Sequence, residues 1–147
     1  MTSVQFYDCP VVIPYYGGKF NLSRELVPML ATHDRYFEVF AGGLSMFFRK
    51  AKAEFSVVIR NAFNKIPYGS FSKISTWNTS EIIENLKYSR TFFDDTTIEN
   101  LDFRKLVVDY KPKKGDMWYL DPPYIIATER GDYYMADFGI EEHEDMI

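Results

Sequence analysis

The segment Asp121-Pro122-Pro123-Tyr124 places a carboxylate, two rigid residues and an aromatic ring directly after a short apolar stretch. The two prolines end strand pairing and stiffen the loop. The carboxylate and a loop carbonyl would accept hydrogen bonds from the amino group of a planar heterocycle, while the tyrosine ring stacks on its face. An amine held in this way is aligned for attack on an electrophilic methyl group. The structural alternative is a proline turn capped by Asp121.

A second segment, Glu38 to Gly43, has the pattern of a strand followed by a glycine turn that opens a helix. Glycine allows the backbone to approach a nucleotide-like group closely, and the amides of a following helix would point at that group. The complete G-x-G-x-x-G pattern is absent, and glycine turns between strands and helices also occur for structural reasons alone.

The elements that must position these segments alternate between strands and helices. Strands are predicted at 35–40, 55–59, 91–93 and 117–120, and helices at 24–31, 44–53, 80–86, 98–108 and 140–147. Asn21 or Ser23 is expected to cap the first helix. The alternation predicts an α/β fold with a parallel sheet. Ligands of such sheets bind beyond the carboxyl ends of the strands, where strand order reverses. If the strands before the two loops are neighbours at that point, both loops face one crevice.

Length and composition narrow the class of protein. The chain has 147 residues, of which 46% are hydrophobic and 26% charged, and this predicts a single domain over 1–147 with a packed core. One cysteine excludes a disulfide framework, and with only two histidines no metal site is expected. No apolar run approaches the roughly 20 residues of a membrane helix, and no signal peptide is evident, so a cytoplasmic protein without membrane contact is expected.

The two halves of the chain differ in charge. Residues 1–73 carry nine Lys and Arg against five Asp and Glu, whereas residues 74–147 carry eight against sixteen. If a polyanion binds, the basic half is expected to carry it. The alternative is two solvated faces without a partner.

Four motifs, in this order, resemble those of the Dam-type adenine-specific DNA methyltransferases. They are Tyr15-Tyr16-Gly17-Gly18-Lys19, Phe40-Ala41-Gly42-Gly43, Phe63-Asn64-Lys65-Ile66-Pro67-Tyr68-Gly69 and Asp121-Pro122-Pro123-Tyr124. The resemblance implies a Rossmann-like sheet with helices on both faces that uses S-adenosyl-L-methionine. It also implies site-specific methylation of adenine N6 in double-stranded DNA, the reaction found in restriction-modification systems, on a base flipped out of the duplex.

The resemblance also assigns roles to residues. In the cofactor site, Tyr15 would form a flat wall and Lys19 would lie near the cofactor's carboxylate. The expected cofactor-binding residues are Tyr15, Gly18, Lys19, Phe40, Gly42, Gly43 and Asp121. The expected catalytic residues are Asp121, Pro122, Pro123 and Tyr124. A core aromatic at Tyr15 and a solvated Lys19 are the structural alternatives.

The expected DNA contacts fall in an irregular stretch without acidic residues. They are Arg60, Asn64, Lys65, Tyr68 and Lys73. The basic members would contact phosphates, and the stretch 60–75 would be a remnant of a DNA-recognition region. Asn64 and Tyr68 have an equal claim to be loop-packing residues.

Two departures from the family pattern affect the expected activity. The family has an acidic residue after its second strand, where it holds the ribose hydroxyls, but Ile59 is followed here by Arg60-Asn61-Ala62. The spacer that follows is nearly absent, so residues are expected to be missing near Ile59 and Arg60. We also expect the sheet to be incomplete after Ile147. The alternative functions are an inactive relative that binds DNA or cofactor, and methylation of another planar amine in RNA or protein; oligomeric state is not predicted.

Overall fold

A computed structural model describes residues 3–12, 18–59, 79–123 and 139–146. Helices and strands alternate along these residues. The elements are α1 (Phe20–Leu26) with a 3₁₀ turn (Val27–Met29), β1 (Arg35–Glu38), α2 (Ser45–Arg49), β2 (Phe55–Ile59), α3 (Thr79–Arg90), β3 (Thr96–Glu99), α4 (Phe103–Tyr110), β4 (Asp116–Tyr119) and α5 (Ile140–Glu144).

The four strands form one parallel sheet in the order β3-β2-β1-β4. The chain moves outward from β1 through β2 to β3 and then returns to the other side of β1. Strand order therefore reverses between β1 and β4, the position at which open α/β sheets bind ligands. The α/β class and the parallel sheet predicted from the sequence are confirmed.

The sheet has an apolar core on each face because successive strand residues point to opposite sides. From β1, Tyr36 points to the face covered by α2, where Phe47 and Phe48 pack, and Phe37 points to the face covered by α4. On the α4 face, the rings of Phe37 and Trp118 stack with centroids 4.1 Å apart. Helices thus cover both faces of the described sheet.

The third strand lies further along the chain than predicted. Residues 91–93 form a turn, and Phe92 is buried in the core from that turn. The strand is Thr96–Glu99, a polar segment at the outer side of the described sheet in which Ile98 is 62% exposed. The prediction was wrong because an aromatic pair packed from a turn looks like a buried strand, whereas an outer strand needs little apolar sequence.

Two helix starts also differ from the prediction. Asn21 and Ser23 lie inside α1 and do not cap it; its N-cap is Lys19, which makes no capping hydrogen bond through its side chain. Helix α4 begins at Phe103, where the Asp102 carboxylate accepts a hydrogen bond from the Arg104 backbone N–H. This cap fixes the start of α4 and leaves residues 96–99 free to form β3.

Candidate active site

The loops that follow β1 and β4 leave the sheet side by side. Glu38 pairs with Tyr119 in the register, and the Val39 N–H donates to the Tyr119 carbonyl at 3.2 Å. Asp121 follows β4 directly after Leu120, and the glycine turn follows β1. The two loops therefore leave neighbouring strands at the same edge of the sheet, which is the condition under which both were expected to face one crevice.

The glycine turn is tight and uses left-handed backbone. The Leu44 N–H donates to the Ala41 carbonyl at 2.7 Å, and Gly42 has a φ of +49°. Leu44 has a φ of +58°, a conformation that costs a non-glycine residue roughly 1–2 kcal/mol. Helix α2 therefore begins at Ser45 rather than at the predicted Leu44. Backbone strain of this kind persists where the surroundings enforce it, and it is frequent at functional sites.

The side chains of Lys19 and Asp121 form an ion pair at this edge of the sheet. Lys19 Nζ lies 2.6 Å from Asp121 Oδ2, and the two side chains are 15% and 22% exposed. The Lys19 backbone is fixed at the start of α1, where its carbonyl accepts the Ser23 N–H at 2.7 Å. The ion pair brings together a residue predicted to bind cofactor and one predicted to be catalytic.

A second carboxyl group, Glu38, lies in the interior next to Asp121, and sequence analysis did not single it out. Glu38 is 2% exposed and accepts a hydrogen bond from the Tyr36 hydroxyl at 3.0 Å. Burial raises the pKa of Glu38 to about 8, and the charge of Asp121 acts in the same direction. The Tyr36 hydroxyl, the nearby Lys50 charge and the Phe47 N–H act against this rise in pKa. An acidic residue within an apolar strand, just before a glycine turn, was the available signal.

Lys50 is the buried cation next to this carboxyl group. It is 1% exposed, its Nζ donates to the Ala51 carbonyl at 3.0 Å, and it lies 4.0 Å from the centroid of the Tyr36 ring. Burial lowers the pKa of Lys50 to about 8, against the opposing effect of Glu38. Tyr36, Glu38 and Lys50 thus form a buried polar network on the α2 face, below the edge of the sheet that carries Asp121.

Some of the remaining predicted site residues lie in the described part of the chain, and others lie outside it. Gly18 is exposed next to Lys19, while Gly43 is buried and Pro122 and Pro123 are half-buried. The Phe40 ring lies 6.1 Å from that of Phe103, so this side chain packs toward α4. Seven predicted residues lie outside the described part of the chain: Tyr15, Tyr124, Arg60, Asn64, Lys65, Tyr68 and Lys73.

A separate cleft of about 530 Å³ opens on the α4 face of the sheet. Its walls include Val39, Phe103, Trp118 and Leu120, and neither Glu38 nor Asp121 lines it. Arg104 lies at its rim, paired with Asp145 at 2.6 Å. The cleft is therefore distinct from the charged edge formed by Lys19 and Asp121.

The parallel sheet, with helices on both faces and polar loops at the reversal of strand order, defines a Rossmann-like α/β protein of the methyltransferase type. The family model of the D12 class N6 adenine-specific DNA methyltransferases matches the chain in two overlapping stretches, residues 15–92 and 60–147. The chain belongs to this family, whose substrate is DNA. No curated protein matched the chain. Among the described residues, no helix is both long and apolar enough to cross a bilayer.

Proposed function

We propose that this protein transfers a methyl group from S-adenosylmethionine to N6 of adenine in double-stranded DNA. The observation that carries the proposal is the position of Asp121, which follows β4 at the reversal of strand order beside the glycine turn of β1. Membership of the adenine-specific family supports the chemistry. The same position supports a purely structural proline turn less well, because such a turn has no need of a partly buried cation at its carboxylate.

In the proposed reaction Asp121 accepts a hydrogen bond from the exocyclic amine of the target adenine. This contact orients the nitrogen lone pair and stabilises the positive charge that develops as the new N–C bond forms. Pro122 and Pro123 restrict the loop, so the carboxylate is held before the base arrives. A bound donor would supply a methyl group on a positively charged sulfur: the S–CH3 bond would break as the N–C bond forms, a neutral thioether would leave, and the methylated nitrogen would release one N–H proton to solvent.

The described residues are suited to the methionine end of the donor. Lys19 offers an ammonium group for its carboxylate, and the left-handed turn at Gly42 allows close approach of the backbone. No acidic residue comes directly after Ile59 to hold the ribose, so we assign the donor's affinity mainly to Lys19 and the turn. A site without an acidic residue for the ribose should bind the donor more weakly than a site that has one. The expected difference is about 1–3 kcal/mol, the scale of one lost hydrogen bond to a charged group.

The buried Glu38 influences the charge at the site. Because its pKa is raised to about 8, Glu38 keeps its proton near neutral pH. Of these two acidic residues, Asp121 is then the one that offers a carboxylate to the amine, with the Lys19 ammonium 2.6 Å away. One negative charge suits an amine that becomes positively charged as it reacts.

DNA contacts are proposed for the basic stretch that follows β2. The residues proposed for this role are Arg60, Asn64, Lys65, Tyr68 and Lys73. Neutralising Lys65 should weaken binding to all DNA sequences alike and reduce its dependence on salt, as expected for a phosphate contact. The target base would leave the helix to reach Asp121, since a stacked base is inaccessible.

The decisive experiment uses genomic DNA free of N6-methyladenine, so that the target sequence need not be known. The protein is incubated with this DNA and S-adenosylmethionine, and the digested nucleosides are quantified by mass spectrometry. We expect N6-methyladenine to accumulate with the wild type and not with Asp121→Ala. Methylcytosine as the product, or turnover retained in Asp121→Ala, would refute the mechanism.

Calorimetric titration with S-adenosylmethionine separates an active enzyme from an inactive relative. Heat of binding without methylation would indicate a cofactor-binding module, and the absence of heat would indicate that the donor site has been lost. Thermal unfolding of both proteins checks that Asp121→Ala is folded.

A further inference from the structure

We propose that Arg49 is a positioning residue that holds the first turn of α1 so that the Lys19 ammonium group reaches Asp121. Arg49 is the last residue of α2, the helix that begins at the glycine turn. Its side chain links that helix to the segment that carries Lys19. Arg49 is outside the motifs that indicated the function, and its hydrogen bonds to α1 are made with Phe20 and Ser23.

The contacts of Arg49 concentrate on the residues that flank Lys19. Arg49 Nη1 donates to the Phe20 carbonyl at 2.6 Å and to Ser23 Oγ at 3.0 Å. The guanidinium also lies 4.1 Å from the centroid of the Phe20 ring, within range of a cation–π interaction. On its other side, Nη2 is paired with Asp8, and the Phe6 ring lies at 4.7 Å.

These contacts fix Lys19 because the same residues are bonded to its backbone. Phe20 follows Lys19 directly, and the Ser23 N–H donates to the Lys19 carbonyl at 2.7 Å. Lys19 is the N-cap of α1 but makes no capping hydrogen bond through its own side chain. The orientation of this helix start therefore depends on groups outside it, and Arg49 supplies two of the hydrogen bonds.

The energetics of Arg49 favour a role in positioning over one in stability. Its side chain is 4% exposed, and Nε has no hydrogen-bond partner among the described residues. A buried charge with an unsatisfied donor is costly, and an apolar side chain of similar size often gives equal or greater stability. An apolar side chain could not make the three polar contacts of Arg49, which join it to the Phe20 carbonyl, the Ser23 hydroxyl and the Asp8 carboxylate.

The chain contains a matched control for Arg49. Arg24 also pairs with Asp8, at 3.2 Å, and also lies near the Phe6 ring, at 5.7 Å. Its side chain is 66% exposed and is not among the donors to the Phe20 carbonyl. Arg24→Met removes the shared contacts, whereas Arg49→Met also removes the grip on the start of α1.

The first experiment measures the reactivity of the Lys19 amine without any cofactor. Each folded variant is treated with a trace of acetic anhydride, and mass spectrometry gives the Lys19 labelling rate relative to Lys105. An ammonium held against a carboxylate is a poor nucleophile, so the rate should rise several-fold in Asp121→Asn and in Arg49→Met. It should stay at the wild-type level in Arg24→Met and in Asp116→Asn, a variant that weakens the opposite end of the sheet.

Two outcomes of the labelling would overturn the inference. One is a wild-type rate in folded Arg49→Met, and the other is an equal rise in Asp116→Asn, which would show that Lys19 only reports general loosening. If Arg49→Met does not fold, Arg49→Lys is measured in its place. Lysine retains the positive charge but lacks the planar guanidinium that binds α1 and Asp8 together. It should raise the rate by a smaller amount, and an unchanged rate would also overturn the inference.

The second experiment tests the consequence for the donor, and this part rests on the proposed function. Calorimetry should show that Arg49→Met weakens binding of S-adenosylmethionine about tenfold, or ~1.4 kcal/mol. In a Lys19→Met background the same substitution should have no further effect, since the group it positions is gone. Additive losses would refute the positioning role. If the wild type gives no heat, the proposed function fails, and the labelling result still decides whether Arg49 positions Lys19.

Discussion

Two ion pairs of the same length lie at opposite ends of the β1–β4 strand pair. At the amino end Arg35 and Asp116 are paired at 2.6 Å, and at the carboxyl end Lys19 and Asp121 are paired at 2.6 Å. Arg35 and Asp116 are register partners within the sheet, and the Asp116 side chain is only 2% exposed. Lys19 comes from outside the sheet, and Asp121 is 22% exposed in a loop.

The cations of the two ion pairs differ in how they hold a carboxylate. Arg35 holds both oxygens of Asp116, with Nε to Oδ1 at 2.7 Å and Nη2 to Oδ2 at 2.6 Å. The Lys113 N–H adds a further bond at 2.9 Å, and the Arg35 contact holds the pKa of Asp116 below its ordinary value. A guanidinium that binds both carboxylate oxygens makes a rigid pair suited to structure. The ammonium of a lysine is a point charge on a flexible side chain, so the carboxylate of a ligand is able to compete for it.

The largest effect on methylation is expected when the aspartate at the carboxyl end of the strand pair is replaced by asparagine. Asp121→Asn should reduce methylation by at least about 100-fold, the scale for losing one positioned polar group at a reacting centre. Its free energy of unfolding should change by less than about 1 kcal/mol, because a partly exposed pair contributes little to stability. Methylation rates and urea unfolding curves measured on one preparation check both statements. A stable variant with normal turnover would show that the two ends of the strand pair do not differ in function.

Asp116→Asn should show the reverse pattern. The free energy of unfolding should fall by about 1.5–3 kcal/mol, the value of hydrogen bonds to a charged group, while methylation per folded molecule stays unchanged. Since the folded pKa of Asp116 is lowered, its stabilisation is present above the ordinary value of 3.8 and is lost as pH falls through the lower folded value. The stability difference from wild type should therefore narrow below about pH 3.8. A difference that is constant across acid pH would contradict this account.

Lys19→Met tests whether the cation at the carboxyl end serves a ligand. Affinity for S-adenosylmethionine should fall about tenfold, or ~1.4 kcal/mol, with little change in stability. The matched control is Lys52→Met, because the Lys52 ammonium donates to the Thr91 carbonyl away from the crevice. Calorimetry should give the control the wild-type affinity. An equal loss of affinity in both variants would show that Lys19 affects donor binding only through the net charge of the protein.

The comparison also shows what the sequence could predict. The strand at 55–59 was predicted with its exact bounds, since it is β-branched, apolar and buried on both faces of the sheet. The strand Thr96–Glu99 was missed because an outer strand is held by backbone pairing with β2 and needs no apolar pattern. Local patterns therefore identified the strands with apolar sequence, including the outer strand β4, and missed the polar strand β3.

The site was predictable in its motifs and not in its contacts. Asp121 and the glycine turn stand out because proline and glycine carry strong local signals. The pairing of Lys19 with Asp121 joins distant parts of the chain, and only the tertiary fold specifies it. Glu38 and Arg49 were passed over because a buried ionisable group is recognised by its surroundings, which a single sequence does not contain.

The pH dependence of stability reports on the buried Glu38 carboxyl group, which lies below the carboxyl end of the strand pair. Burial raises the folded pKa of Glu38 from its ordinary 4.5 to about 8, so the folded protein holds a proton that the unfolded chain releases. This group's contribution to stability is complete below about pH 4.5 and is lost as pH rises toward 8. Glu38→Gln is neutral at every pH and keeps an acceptor for the Tyr36 hydroxyl, so it should remove this loss. Urea unfolding at intervals from pH 5 to 8 should show that the free energy of unfolding of Glu38→Gln increases relative to that of the wild type as pH rises. Lys50 titrates mainly above this pH range, since its folded pKa is about 8. Parallel curves for the two proteins would mean that Glu38 is ionised in the fold and that the crevice carries two negative charges.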